Sequence, residues 1–173
     1  MAMEATLDDG TRVAIRPIRP DDKLELAAGL RRLSDESVQR RFLAPKTRFS
    51  QSELRYLTEV DGHDHVALVA ERLDGSGDER AAGVARFVRL PEDPETAEMA
   101  IVVADALQGR GLGSLLADAL AEAALAHGVR RFSATVLSEN YAVQRLLSRI
   151  SRKLERSGHS RGQQELLAEL SAA

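Results

Sequence analysis

The run Gln108-Gly109-Arg110-Gly111-Leu112-Gly113 constrains this chain more than any other stretch, because of what flanks it. Before it lies Thr96-Ala97-Glu98-Met99-Ala100-Ile101-Val102-Val103, an apolar segment with β-branched residues and the length of a buried strand. After it, Leu112, Leu115, Leu116, Ala119, Leu120 and Ala123 recur at helical spacing, and Gly128 follows as a stop. The order is strand, glycine loop, helix. Glycines let the backbone approach a ligand closely, and N–H groups at the positive end of a helix dipole suit an anion, so the loop predicts a site for phosphate or pyrophosphate.

Spacing narrows the ligand. A dinucleotide fingerprint starting at Gly109 needs a glycine where Ser114 stands, and no parallel-strand repeat follows. A nucleoside-triphosphate loop needs a lysine, and none is near. What remains is the pattern QxxGxG, carried by Gln108, Gly111 and Gly113, and in it the chain resembles the GNAT superfamily of acetyl-coenzyme A-dependent N-acetyltransferases. Leu33-Ser34-Asp35-Glu36-Ser37 with Arg41-Phe42, Val60-Asp61 and His65-Val66-Ala67-Leu68-Val69-Ala70 are similar, more narrowly, to bacterial protein-lysine acetyltransferases.

The resemblance implies an α/β fold whose mixed, mostly antiparallel sheet is flanked by helices and splays between the family's fourth and fifth strands. It implies acetyl-CoA as co-substrate, with its pyrophosphate on Gln108, Gly109, Arg110, Gly111, Leu112, Gly113 and Ser114. The pantetheine arm would then lie along the backbone of Ile101, Val102 and Val103, and Asn140 after the fifth strand would touch it. Ala97-Glu98-Met99-Ala100-Ile101 matches a segment whose glutamate accepts the amine proton in histone-type and bacterial lysine acetyltransferases, which makes Glu98 the expected base. Its residue type carries a physical condition: a carboxylate in so apolar a run must be exposed, paired or raised in pKa. The family's usual acid, a tyrosine seven residues after the asparagine, is replaced by Leu147, and the nearby tyrosine is Tyr141.

Composition excludes several alternatives. With 173 residues, 43% of them hydrophobic, the chain reads as a single N-acetyltransferase domain, residues 1–173, with residues 1–8 expected to be mobile. A net charge of −3 with interspersed arginines offers no face for nucleic acid. No run approaches a membrane span and no signal peptide opens the chain, so the expectation is a cytoplasmic protein with no membrane partner. The lack of cysteine removes any acyl-cysteine intermediate, so acetyl would pass directly to an amine, either a protein lysine or a small molecule. His63 and His65 share a strand face but lack a further ligand at useful spacing, so no metal is expected. Asp61 and His65 line the acceptor pocket or shape a turn. The alternative function is a non-catalytic acyl-CoA sensor of the same fold, which would have no use for Glu98; a homodimer is compatible with either.

Along the chain, Thr11–Ile18 reads as a strand, and helices follow over residues 22–33, 35–43 and 50–59. Val66–Leu73 and Ala81–Leu90 read as a hairpin around a turn that contains Gly75-Ser76-Gly77, and Phe132–Leu137 as a strand before a helix over 140–150. Gln163–Leu170 taken alone prefers a helix; the resemblance makes it and Ser151–Ser157 a closing hairpin.

Overall fold

The computed structural model describes residues 2–74 and 80–172. The strands are β1 (Met3–Thr6), β2 (Arg12–Pro17), β3 (His65–Arg72), β4 (Ala81–Leu90), β5 (Asp93–Val103), β6 (Arg131–Leu137), β7 (Ser151–Ser160) and β8 (Gln163–Leu170). The helices are α1 (Lys23–Arg32), α2 (Asp35–Phe42), α3 (Gln51–Thr58), α4 (Leu112–Ala126) and α5 (Tyr141–Ile150). One eight-stranded sheet runs β1-β2-β3-β4-β5-β6-β8-β7, antiparallel except where β5 meets β6. The turn expected at Gly75-Ser76-Gly77 lies outside the described residues.

The expected mobile terminus is an edge strand instead. Met3–Thr6 pairs with Arg12–Ile15, Leu7 is buried, and Gly10 adopts φ +87° in the intervening turn. The backbone pairing, rather than any strong hydrophobic pattern, orders it. Pro91–Glu92 makes a tight turn, with Leu90 pairing directly to Asp93. The closing hairpin is present: Gln164, Leu166, Ala168 and Leu170 are buried in alternation, and that period-two burial against β6 overrides local helix propensity.

The sheet separates two apolar layers. On one face Ala85, Phe87, Met99 and Phe132 pack against Leu112, Leu116 and Leu120 of α4 and Leu147 of α5, with the Phe87 and Phe132 rings 5.9 Å apart. On the other, Ala67, Val69 and Val84 meet Leu26 of α1 and Ile18. Leu24 of α1 is solvent-exposed. Among the described residues no helix is long and apolar enough to cross a membrane.

α2 and α3 begin on side-chain caps: Ser34 Oγ accepts from Ser37 N–H, and Ser50 and Glu53 form a reciprocal capping box. These caps set where α2 and α3 start, and with them the positions of Arg41 and Phe42 over the sheet.

Candidate functional site

β5 and β6 pair only at Thr96–Arg131, Ala97–Phe132 and Glu98–Ser133, then part. The divergence opens a cleft of about 640 Å³. Strand alternation decides what faces it. Ala104 N–H donates to Ala82 O on β4, so Val102, two residues back, also turns its N–H and C=O toward β4. Ile101 and Val103 turn theirs toward the open edge; Val103 O is met there only by the Gln108 amide at 3.1 Å. The backbone part expected of Val102 therefore falls to its neighbours, while its side chain lines the wall.

At one end of the cleft stands the glycine loop. Gly111 caps α4 with φ +94°, a conformation that costs other residues, and a Cβ there would lie 3.5 Å from the Asp8 carboxylate. Leu115 N–H bonds Gly111 O, which leaves the N–H groups of Leu112, Gly113 and Ser114 without an intrahelical acceptor. The Gln108 amide donates to Ser37 Oγ at 3.0 Å and to Val103 O at 3.1 Å, tying α2 to the end of β5.

The structure brings Glu98, Ile101, Val102, Val103, Gln108, Gly109, Gly111, Gly113, Ser114 and Asn140 to this cleft. Two expected residues do not bring their side chains. Arg110 pairs with Asp9 across the β1–β2 turn, and Leu112 is fully buried under the sheet, so only its backbone can serve. Asn140 is buried and N-caps α5, its Oδ1 accepting from Val143 N–H at 3.4 Å. Leu147 is a core residue and Tyr141 stands in solvent.

Glu98 is exposed on the cleft wall, so of its three options it takes solvent, between the buried Ala97 and Met99. Four arginines missed in the sequence also reach the wall: Arg40, Arg41, Arg145 and Arg149. Arg40 pairs with Glu36 and Arg149 with Asp118, whereas Arg145 makes no ion pair among the described residues. The spacing of Arg145 and Arg149 by four after Asn140 was the available signal, since it places both on one helix face.

On the α1–α3 side a second cavity of about 240 Å³ adjoins the cleft, sharing Arg41, Phe42, Ala100 and Val102 with it. Asp22, Glu25 and Glu71 line its far end, where Arg16 pairs with both Asp22 and Glu71. Burial raises the Glu25 carboxyl, helped by Glu71 and Asp22. Asp61 and His65 line neither space. Asp61 Oδ1 accepts from the N–H groups of His63, Asp64 and His65 at 2.8–2.9 Å, which makes it a turn-former. His65 is buried, its Nε2 3.0 Å from Arg86 Nη1; burial first, then the Arg86 charge, pushes its pKa down to about 4. His63 packs against His127 and bonds Asp64, so the two histidines do not converge.

The family model of the acetyltransferase (GNAT) domain matches residues 12–151. The chain belongs to the GNAT acetyltransferase family. Within it, the chain is 38% identical over 140 residues to Acetyltransferase Pat of Mycolicibacterium smegmatis, covering 79% of this chain and 40% of that protein's length. The GNAT domain of S. lividans PAT superposes with a TM-score of 0.83 at 30% identity, over 98% of this chain and 97% of that one. The fold recurs in yncA, a putative acetyltransferase from Salmonella typhimurium solved with acetyl-CoA, with a TM-score of 0.68 at 20% identity and coverage of 91% and 92%. The splayed sheet seen here is the GNAT fold, with β5 and β6 as the family's fourth and fifth strands.

Proposed function

We propose that residues 1–173 form one N-acetyltransferase domain that passes acetyl from acetyl-CoA directly to a primary amine, on a protein lysine or a small molecule. The observation that carries this reading is that a single cleft holds the free N-terminus of α4, the unpaired edge of β5 and the Glu98 carboxylate. The fit to acetyl-CoA is chemical. A helix N-terminus suits pyrophosphate, and the open edge offers backbone groups that an amide-bearing arm can pair with as an added strand would. From Val103 back to Glu98 the strand spans on the order of 16 Å, which matches such an arm in extension. Arg145 replaces Arg110 as the cation free to meet a phosphate.

Glu98 then takes the proton that an alkylammonium must lose before it attacks, directly or through water. An edge-facing β5 N–H between Glu98 and Val103, as at Ile101, would steady negative charge on the thioester oxygen. With Tyr141 in solvent and Leu147 in the core, neither serves the thiolate, which at a pKa of about 8.5 leaves unaided.

The test is coenzyme A release across a panel of amines and lysine-containing proteins, beside calorimetric binding of acetyl-CoA. Binding with turnover of any acceptor supports the enzyme; binding with none would leave a sensor.

A further inference from the structure

Arg86 is an anomaly in the 240 Å³ cavity. It sits mid-strand on β4 with 5% of its surface exposed, and no carboxylate pairs with it among the described residues. Nη1 donates to Leu57 O at 3.1 Å and meets His65 Nε2, while Nε is buried with no partner at all. Arg41, the second guanidinium on this wall, lies over the Phe42 ring at 4.8 Å and also lacks an ion pair within 4 Å. Burial lowers the pKa of both, and each charge is felt nearby: Arg41 lowers Arg86 further, while Glu98 acts on Arg41 in the opposite direction. A buried guanidinium left without an anion is costly, and the charge of the half-buried Arg41 adds to that cost. The junction carries an excess of positive charge that its own residues do not neutralise.

Register places this excess beside Glu98. Arg86 pairs with Ala100 and Val88 with Glu98, so Arg86 and Glu98 are diagonal neighbours on one face, about 7–8 Å apart at Cβ. Beyond Arg86 the cavity is walled by Leu26, Leu30, Leu57, Val69 and Val84 and ends at the acidic group of α1 and β3. That acidic end repels an anion, so a carboxylate in the cavity orients toward the arginines. At about 240 Å³ the cavity has room for the side chain of an aliphatic amino acid.

Resting on the reading above, we propose that the acceptor is a small apolar amino acid: its carboxylate on Arg86 and Arg41, its side chain in the leucine-lined cavity, and its amine at Glu98. The ammonium gives one proton to Glu98, which passes it to solvent, and the neutral amine attacks; the nitrogen sheds its second proton to solvent as the amide forms, so one proton is released net once the thiolate is protonated. The C–N bond forms as the C–S bond breaks, and the thiolate leaves to take a proton from solvent.

The test begins without turnover. Protein saturated with coenzyme A is titrated calorimetrically with isocaproate, which is leucine without its amine, and with isocaproamide, which lacks the charge. The acid binds at least tenfold more tightly than the amide, a difference of about 1.4 kcal/mol, and Arg86→Gln and Arg41→Gln each bring the two toward equality. Equal binding of acid and amide overturns the proposal. In the second arm, coenzyme A release is compared for leucine, leucinamide and isoamylamine. Leucine leads in kcat/KM by tenfold or more, and the lead collapses in Arg41→Gln. Isoamylamine turned over as well as leucine sinks the amino-acid acceptor but leaves the acetyltransferase standing. Selective isocaproate binding with no turnover of any amine does the reverse, sinking the acetyltransferase while keeping the carboxylate site. If Arg86→Gln fails to fold, Arg41→Gln and the ligand pair on the unaltered protein still decide.

Discussion

The two walls that meet at the end of β5 are made of different material. The glycine-loop wall presents backbone: free N–H groups of α4, an unpaired strand edge, and Gly111 in a conformation that a side chain resists. The arginine wall presents side chains, Arg86 and Arg41, with His65 behind them. A backbone site is specified by where glycines fall and tolerates most other substitutions. A side-chain site is specified by burial, which one sequence does not display. The first should therefore recognise the cofactor, which the reaction shares whatever its acceptor, and the second the acceptor that distinguishes this one.

Where the walls meet, the largest effect is expected. Glu98→Gln should keep the fold and acetyl-CoA affinity but lower turnover near pH 7 by roughly 10²-fold or more, the usual size of a general-base contribution. An acceptor amine of pKa about 10.4 is scarcely deprotonated at pH 7, so the deficit should shrink as pH rises toward 9 to 10. The check is a pH series of kcat/KM. A deficit that does not shrink points to lost packing, and full activity at pH 7 removes Glu98 from the mechanism.

How much of this was legible divides along the same line. QxxGxG, the β-branched run before it and the helical repeat after it state the loop, its strand and its helix in one dimension, and local chemistry suffices to read them. The closing hairpin was visible only through family likeness, because Gln163–Leu170 prefers a helix until β6 imposes its alternation. Arg86 was invisible. In Ala81–Leu90 it alternates with buried Ala85 and Phe87, so the pattern assigns it to a solvent face, and only α1–α3 folding over that face buries it. Arg110 erred in the opposite direction: a cation in a phosphate loop reads as a ligand, and Asp9, distant in sequence, claims it.

The next effect belongs to the arginine wall alone. His65 titrates at about 4 in the folded chain against about 6.5 unfolded, because burial and Arg86 oppose its charge. The unfolded state therefore binds more protons between those values, so the contribution of neutral His65 is complete above pH 6.5 and is lost as pH falls toward 4. Denaturant unfolding should show stability dropping over that window, and His65→Gln should flatten most of the slope. An unchanged slope in the variant would assign the acid sensitivity to other groups.

On the loop wall, Gly111→Val should weaken acetyl-CoA by tenfold or more, about 1.4 kcal/mol. The β-branched residue must adopt φ +94° and set its Cβ near the Asp8 carboxylate, so the loop shifts just where the phosphate would approach. Calorimetry on a variant of wild-type circular dichroism is the measurement. Undiminished affinity would mean that this loop does not hold the cofactor.

The smallest effect is expected where the family's usual acid is missing. Tyr141 opens α5 with 63% of its surface exposed and lies outside both walls, whereas the position of the usual acid is filled by Leu147, which packs in the core. An acid must reach the departing sulfur, and a side chain in solvent at the far side of the helix start does not. A thiolate of pKa about 8.5 needs no partner at neutral pH, so Tyr141→Phe should change kcat by less than about twofold. The comparison of walls predicts this near-silence, since Tyr141 belongs to neither. A Tyr141→Phe protein that binds acetyl-CoA normally yet turns over nothing would show that the start of α5 moves onto the cleft during the reaction. The site would then have a third wall.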